Sequence, residues 1–85
     1  MPAQNLKPEE IHSRIQNIFR EVFDNNTIEL NRNLTSADIR GWDSVTNVQL
    51  VFSVEAAFDI RFTVEEVMKM ENAGSLIDAV TAKVG

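Results

Sequence analysis

The sequence predicts an all-α protein: a small four-helix bundle of three longer helices and one short helix 3, with a long loop between helices 1 and 2. Three observations support this class. Apolar residues recur at helical spacing in several segments, typical helix-starting residues precede them, and no stretch has a convincing strand pattern. With 85 residues, the chain suits one domain with a simple core, so we expect residues 1–85 to form a single domain.

The first predicted helix spans residues 8–23. Pro8 suits the first helical position, and the acids Glu9 and Glu10 suit the first turn because it carries the positive end of the helix dipole. Apolar residues then recur at helical spacing, namely Ile11, Ile15, Ile18, Val22 and Phe23. The polar segment 24–27 ends the helix.

Residues 24–43 are mostly polar and predict one long, ordered loop. Its isolated apolar residues are expected to reach the core one at a time; they are Ile28, Leu30, Leu34 and Ile39. A loop of this length is unusual in a compact domain, and such loops are often functional.

The remaining predicted helices span residues 44–58, 64–70 and 73–84. Thr63 and Glu66 have the spacing of a capping box at the start of the short third helix. Asn72 can cap the fourth helix, which Gly74 weakens slightly in its first turn. The fourth helix has one apolar face, formed by Ala73, Leu76, Ile77, Val80 and Val84.

Composition and charge exclude several classes of function. No apolar run is long enough to span a membrane, and the N-terminus lacks the regions of a secretory signal. The chain has no cysteine, which excludes disulfides, cysteine–zinc sites and thiol catalysis, and fits a cytoplasmic location. The formal net charge is -5, which argues against nucleic-acid partners, and we expect a monomer.

We expect no catalytic residue, no metal site and no enzyme activity. His12 lies on the polar side of the first helix with neither a nucleophile nor companion ligands nearby in sequence, so we expect it at the solvated surface. The pair Glu65 and Glu66 is better explained as first-turn acids and a capping box than as an acid/base pair.

The second helix has two apolar stripes, although a surface helix of a small bundle needs only one. One stripe contains Leu50, Val51, Val54 and Phe58. The other, roughly 150° away at about 100° per residue, contains Val45, Val48 and Phe52. Two alternatives stay open: the loop and the third helix cover the second stripe, or the stripe is partly exposed and meets a partner or a ligand.

Ser44 stands where this helix begins, in the segment GWDSV at residues 41–45. A serine or aspartate here is usually just the N-cap, but both Asp43 and Ser44 are present where one cap would suffice. A phosphate ester on Ser44 would lie at the positive end of the helix dipole, near free backbone N–H groups, while Asp43 acts as the cap. The residues alone therefore predict a modification or anion site.

The same residues resemble the acyl carrier proteins of fatty-acid and polyketide synthesis. A Gly-x-Asp-Ser-Leu-like motif is matched by Gly41, Asp43, Ser44 and Val45. A Glu-x-x-Phe-(Asp/Gly)-Ile-like end is matched by Glu55, Phe58, Asp59 and Ile60. The order of helices and loop also corresponds, so the resemblance covers essentially the whole chain and implies a single acyl-carrier domain.

The resemblance implies a covalent cofactor and a set of partners. Ser44, with Asp43 beside it, would carry 4′-phosphopantetheine that a phosphopantetheinyl transferase adds from coenzyme A. The thiol of this arm would hold an acyl group as a thioester. The other implied partners are acyl-loading and acyl-processing enzymes: a ligase, a ketosynthase or an acyltransferase.

The resemblance also implies two surfaces on the second helix. The implied partner-binding residues are Trp42, Val45, Val48, Gln49, Phe52 and Glu55. An acyl chain would fold back between the second and third helices, toward an apolar cluster that includes Phe62, Val67 and Met68.

Several positions depart from the housekeeping fatty-acid carriers. Val45 replaces the usual leucine, and Trp42 is bulky where those carriers usually have a small residue. Neutral residues stand where those carriers are often acidic, at Thr46, Asn47, Gln49 and Ala56. Docking would then depend less on charge steering, which favours a specialised polyketide, secondary-metabolite or modified-lipid pathway. The alternatives are a housekeeping fatty-acid carrier, a peptidyl or aminoacyl carrier, and a helical interaction module without an arm.

Overall fold

The computed structural model describes residues 6–84, which form four helices. In chain order they are α1 (Pro8–Val22), α2 (Ser44–Phe58), α3 (Val64–Met68) and α4 (Ala73–Val84). No strand occurs within the described range, so the predicted all-α class with a long loop between α1 and α2 is confirmed. The bounds of α2 and α4 agree with the prediction.

Two predicted helix ends were too late. Helix α1 ends at Val22 because Phe23 is its C-terminal cap, with φ -97° and ψ 3°, and Asp24 then adopts φ 49°. Helix α3 ends at Met68 instead of residue 70. The Lys69 N–H donates to more than one carbonyl of the preceding turn, so the backbone tightens and leaves the helix there.

The predicted helix caps are present. In α3, the Glu66 N–H donates to Thr63 Oγ1 at 3.1 Å, and the Thr63 N–H donates to Glu66 Oε1 at 2.8 Å, which completes a capping box. At the start of α4, the Ser75 N–H donates to Asn72 Oδ1 at 2.9 Å. Each cap satisfies a backbone donor that has no partner inside its own helix.

The hydrophobic core lies between α1, α2 and α4. Helix α1 contributes Ile11, Ile15, Ile18 and Phe19. The first apolar stripe of α2 is buried as Leu50, Val51, Val54 and Phe58. Helix α4 contributes Ala73, Leu76, Val80 and Val84. Helix α3 contributes no buried residue, so it lies against the outside of a core that the other three helices build.

The long loop follows the bundle closely and is held by side chains of α1. Its four apolar residues are buried or half-buried, as predicted, at Ile28, Leu30, Leu34 and Ile39. Arg20 Nε donates to the Ile28 carbonyl at 2.8 Å, and the Leu30 N–H donates to Gln16 Oε1 at 2.9 Å. The loop is therefore fixed by both packing and hydrogen bonds.

The same loop is bound to α4. The Arg32 guanidinium forms a two-hydrogen-bond ion pair with Asp78, at 2.8 and 2.9 Å. The Ala73 N–H donates to the Leu34 carbonyl at 2.8 Å, and the Gly74 N–H donates to the Arg32 carbonyl at 2.9 Å. These backbone bonds bring the loop unusually close to the first turn of α4.

This close approach explains the glycine in α4. A Cβ at residue 74 would lie 2.8 Å from the Arg32 carbonyl oxygen, which is too close for carbon and backbone oxygen. Replacing an interior helix glycine by alanine usually stabilises by about 0.8–1.0 kcal/mol. We expect the opposite here: Gly74→Ala should lower the Tm in a thermal unfolding experiment, because the loop or α4 must move.

The matched control is Ala82→Gly, an exposed position on the same helix. It should lower the Tm through helix propensity alone, without disturbing the loop. A rise in the Tm of Gly74→Ala would show that the loop does not approach α4 as described.

Candidate functional site

Helix α2 begins with a capping box centred on Asp43. Asp43 Oδ1 accepts from the N–H groups of Val45 and Thr46, at 2.9 and 3.0 Å. In return, the Asp43 N–H donates to Thr46 Oγ1 at 2.8 Å, and this hydroxyl donates to the Gly41 carbonyl at 2.6 Å. Asp43 is thus the cap, as predicted. The expectation of free N–H groups near Ser44 needs correction for Val45 and Thr46, because Asp43 already accepts from both.

Gly41 and Trp42 fix the end of the loop just before this cap. Gly41 has φ 90°, a conformation that side-chain-bearing residues rarely adopt. The Trp42 ring then packs against α1, with its centroid 5.4 Å from that of Phe19 and 5.9 Å from that of Phe23. Trp42 Nε1 donates to Asn47 Oδ1 at 3.1 Å, which joins the loop end to the first turns of α2.

The structure adds a packing role for Trp42, whose predicted role in partner binding stays a prediction. It is half-buried and packs against the core, with its ring edge-on to that of Phe19. Aromatic pairs of this kind contribute about 0.5–1.5 kcal/mol beyond the area they bury. The structure thus gives Trp42 an anchoring role beside the site.

Ser44 is exposed at the first position of α2 and borders a polar groove of about 240 Å³. The groove combines residues of the loop, of α2 and of the connection between α3 and α4, namely Ser36, Trp42, Asp43, Ser44, Asn47, Met70 and Glu71. A group esterified to Ser44 can extend into solvent or along this groove without displacing a core side chain. The helix dipole favours a negative phosphate at this end.

A second, apolar groove of about 230 Å³ lies between α2 and α3. It is lined by Val48, Val51, Phe52, Glu55, Phe62, Thr63, Val64, Val67 and Met68. The structure thus brings together the residues that were expected to meet an acyl chain, Phe62, Val67 and Met68. An extended apolar chain fits the chemistry of this lining.

Glu55 is the one acidic side chain among the residues that line this groove, and its carboxylate is hydrogen-bonded within the fold. Its Oε2 accepts from the Phe62 N–H at 2.8 Å, so it bridges α2 to the segment that leads into α3. Glu55 was expected on the partner surface. That role stays a prediction, and its carboxylate also holds the backbone at one wall of the groove.

The second apolar stripe of α2 is exposed. Val45, Val48 and Phe52 have exposed fractions of 67%, 50% and 64%. Of the two alternatives for this stripe, the structure therefore supports exposure. Gln49 is also exposed, and it faces a shallow surface shared with Glu21 and Val22 of α1.

Two exposed residues of α3 were missed as surface features. Val64 and Met68 have exposed fractions of 75% and 78%. The sequence contained a signal for them: they are four residues apart, so they share one face of a helix.

Helix α3 is also joined to α4 by a charged contact. Lys83 Nζ lies 3.2 Å from Glu66 Oε2, and it lies 5.6 Å from the centroid of the Phe62 ring. The pKa of Glu66 is below its usual value, first because the carboxylate accepts the Thr63 N–H and also because Lys83 is close. The short α3 thus relies on the polar contacts of Glu66, one to the N-terminal cap and one to α4.

Other candidate chemistry finds little support among residues 6–84. His12 is exposed on α1, as expected. No three His, Asp or Glu side chains of the described range come together as a metal site. No helix in that range is long and apolar enough to cross a membrane.

Comparison with known proteins identifies the family. The model of the phosphopantetheine attachment site matches residues 13–80. The solution NMR structure of a holo acyl carrier protein from Geobacter metallireducens is similar, with a TM-score of 0.81 and 37% identity over 86% of this chain and 84% of that chain. The chain belongs to the phosphopantetheine attachment family and, within it, to the acyl carrier proteins. Its cofactor is covalent 4′-phosphopantetheine.

The residues at the start of α2 fit such a cofactor. Ser44 offers an exposed hydroxyl, and the capping box fixes the backbone around it. The polar groove beside Ser44 suits the amide-bearing part of the arm, and the apolar groove suits a hydrocarbon chain at its tip.

The cap also predicts a pH dependence of stability. The pKa of Asp43 is below its usual value of 3.8, mainly because its carboxylate accepts the Thr46 N–H and also that of Val45. A lowered pKa means that folding favours the charged form. Its contribution to stability is therefore complete above the usual pKa and disappears as the pH falls through the lower pKa of the folded state.

Asp43→Asn keeps an oxygen that can cap the helix and removes only the charge. We expect this variant to have a lower Tm than the original chain at neutral pH, and the gap to close in strongly acidic buffer. Thermal unfolding over a pH series measures it. A gap that does not depend on pH would contradict a stabilising charge at this cap.

Proposed function

We propose that the chain carries acyl intermediates as thioesters on a phosphopantetheine arm attached to Ser44. The observation that supports this most is the placement of Ser44, exposed at the first position of α2 beside a cap that Asp43 provides. Asp43 fixes the backbone that presents Ser44 and would take no part in bond making. The chain itself acts as a carrier and not as a catalyst.

Attachment of the arm requires a phosphopantetheinyl transferase and coenzyme A. Ser44 Oγ would form a bond to the phosphorus that carries the pantetheine, the pyrophosphate bond of coenzyme A would break, and the adenosine part would leave with the other phosphate. The serine proton passes to a base of the transferase. Once bound, the arm supplies the thiol that this cysteine-free chain lacks.

The apolar groove between α2 and α3 is the proposed site for the acyl chain. Val51 is buried and Phe62 and Val67 are half-buried along it, so they offer an apolar floor. Each methylene group removed from water contributes about 0.8 kcal/mol, which is enough to hold a chain of several carbons part of the time. Cargo in this position would also be shielded from hydrolysis.

The pathway we propose is a specialised one: polyketide, secondary-metabolite or modified-lipid synthesis. The support is the low charge of α2. Glu55 is its one acidic residue, and its carboxylate accepts a backbone hydrogen bond inside the fold.

We further propose that residues 1–85 act as one acyl-carrier domain, in the cytoplasm and as a monomer. The net charge of -5 opposes self-association.

Attachment can be tested directly by intact mass. The protein is incubated with coenzyme A and a broad-specificity phosphopantetheinyl transferase, and we expect the addition of one phosphopantetheine group. Ser44→Ala should add none. Ser36→Ala should add one, because Ser36 lines the same polar groove without standing at the start of a helix. No addition to the folded original chain would favour an interaction module without an arm.

The pathway can be tested by exchange with a housekeeping carrier. We expect this protein not to rescue cells that lack their housekeeping fatty-acid carrier. We also expect fatty-acid ketosynthases to elongate its acyl form much more slowly than the same acyl group on the housekeeping carrier. Rescue together with elongation at normal rates would assign the chain to fatty-acid synthesis instead.

A further inference from the structure

The apolar groove between α2 and α3 leads away from the attachment site. On α2 its lining begins at Val48, one turn after Ser44, and ends at Glu55, two turns further along. With a rise of about 1.5 Å per residue, this stretch of α2 is roughly 10 Å long. The groove therefore has a near end on the Ser44 side and a far end beside Glu55.

The two walls of the groove are joined at the far end. The Phe62 N–H donates to Glu55 Oε2 at 2.8 Å, which links the segment before α3 to the last turns of α2. Phe62 is half-buried, and it both lines the groove and packs against the core. An alkyl chain could pass between the walls here only by breaking this hydrogen bond, and a backbone N–H that loses its partner away from water is costly.

An ion pair lies behind Phe62. Lys83 Nζ of α4 is 5.6 Å from the centroid of the Phe62 ring and 3.2 Å from Glu66 Oε2. The side chains of Lys83 and Glu66 are only 29% and 34% exposed. A chain that displaced the ring would bring hydrocarbon against this pair and remove its remaining water, which is unfavourable. We call Glu55, Phe62, Glu66 and Lys83 the end wall.

We propose that the end wall limits the cargo of this carrier to short and medium acyl chains of up to about eight carbons, because the groove is roughly 10 Å long. This rests on the proposed function, in which the chain enters the groove from an arm on Ser44. Phe62 and Lys83 are then the residues that determine the length of the cargo.

Two independent quantities give this limit. An extended chain advances about 1.2 Å per bond, since a peptide advances about 3.3–3.6 Å over three bonds, so the length of the groove corresponds to roughly eight carbons. The volume of about 230 Å³ holds roughly eight groups of about 30 Å³, the share of one water molecule in the liquid and close to the size of a methylene group.

A longer acyl chain would leave its last carbons in water. Each carbon that enters the groove stabilises the folded state, because its apolar surface is removed from water only when the groove exists. Carbons beyond the end wall add nothing to this stabilisation and remain exposed. The limit therefore appears as a break at one chain length, both in stability and in the apolar surface of the loaded protein.

The experiment loads the protein with even-numbered saturated acyl groups, from acetyl to palmitoyl, by transfer of the acylated arm from each acyl-coenzyme A. Two quantities are measured for each form: the Tm, and the retention on a hydrophobic-interaction column. We expect the Tm to rise by about 2–5 °C for each two carbons up to octanoyl and then to level off. Retention should change little up to octanoyl and increase steadily from decanoyl onward.

Two substitutions in the end wall should move the break to longer chains. Phe62→Ala removes the ring, and we expect the Tm to rise as far as dodecanoyl, each value being compared with the unacylated form of the same variant. Lys83→Met removes the charge behind the ring and keeps a side chain of similar length, so it should act in the same direction. Lys83 is half-buried in the last turn of α4, so this variant keeps the test available if Phe62→Ala does not fold.

The controls keep the end wall intact. Phe52→Ala makes the same truncation at an exposed residue on the α2 side of the groove, and Lys83→Arg retains the positive charge. Both should leave the break at octanoyl. A residue with only a structural role would change the Tm of every form alike and would not change the chain length at which the break occurs.

Three results would overturn the proposal while leaving the carrier function in place. The first is a Tm that keeps rising to palmitoyl, which would show that the groove opens for long chains. The second is retention that increases from butanoyl onward without any change in the Tm, which would leave the groove to a partner protein. The third is a break that neither Phe62→Ala nor Lys83→Met moves. If no arm is added at all, the intact mass shows it before any cargo is compared, and the proposed function itself fails.

Discussion

Trp42 against Phe19 and Phe23 is the contact on which the site depends. The loop before α2 is long and has no regular structure, so its last residues need a fixed contact with the rest of the fold. Without that contact the first turn of α2 would have no defined position. The indole does this by packing against the rings of Phe19 in α1 and of Phe23 at its C-terminal cap, and by donating a hydrogen bond to Asn47 of α2. The capping box at Asp43 then sets the backbone, and Ser44 is left on the surface as a consequence. A substitution that disrupts the packing of Trp42 would therefore displace Ser44, although the two side chains have separate roles.

The fold separates a rigid part from a lightly held part. Helices α1, α2 and α4 share the core, and the loop is fixed to them by buried side chains and by the Arg32–Asp78 pair. Helix α3 has five residues and buries none of them, so it depends on the Glu55–Phe62 and Glu66–Lys83 contacts. Surface contacts of this kind are weak, typically below about 1 kcal/mol. The apolar groove therefore has one wall from α2, which shares the core, and one wall from α3, which buries no residue.

Periodicity and caps predicted most of this fold, because both are local. Asp43, Thr63 and Asn72 revealed the starts of three helices, and the isolated apolar residues of the loop revealed that it packs on the core. The packing of the Trp42 side chain against the core could not be predicted. A loop has no repeating pattern of apolar residues that would show which side chains point inward. The hydrogen bond from Phe62 to Glu55 joins residues seven apart across a bend, and Val64 lies in a helix too short to show a stripe. The features that could not be predicted from the sequence are those that depend on contacts between separate segments of the chain.

The position of Trp42 has a practical consequence. It is the only tryptophan of the chain, and its ring lines the polar groove beside Ser44. All indole fluorescence of the protein therefore originates two residues from Ser44, the proposed attachment point, in a ring whose N–H already has a partner. An arm lying in the groove, or an enzyme covering it, changes the polarity around that ring. The carrier thus contains an intrinsic optical probe of its own loading, and no dye or label has to be attached near the serine.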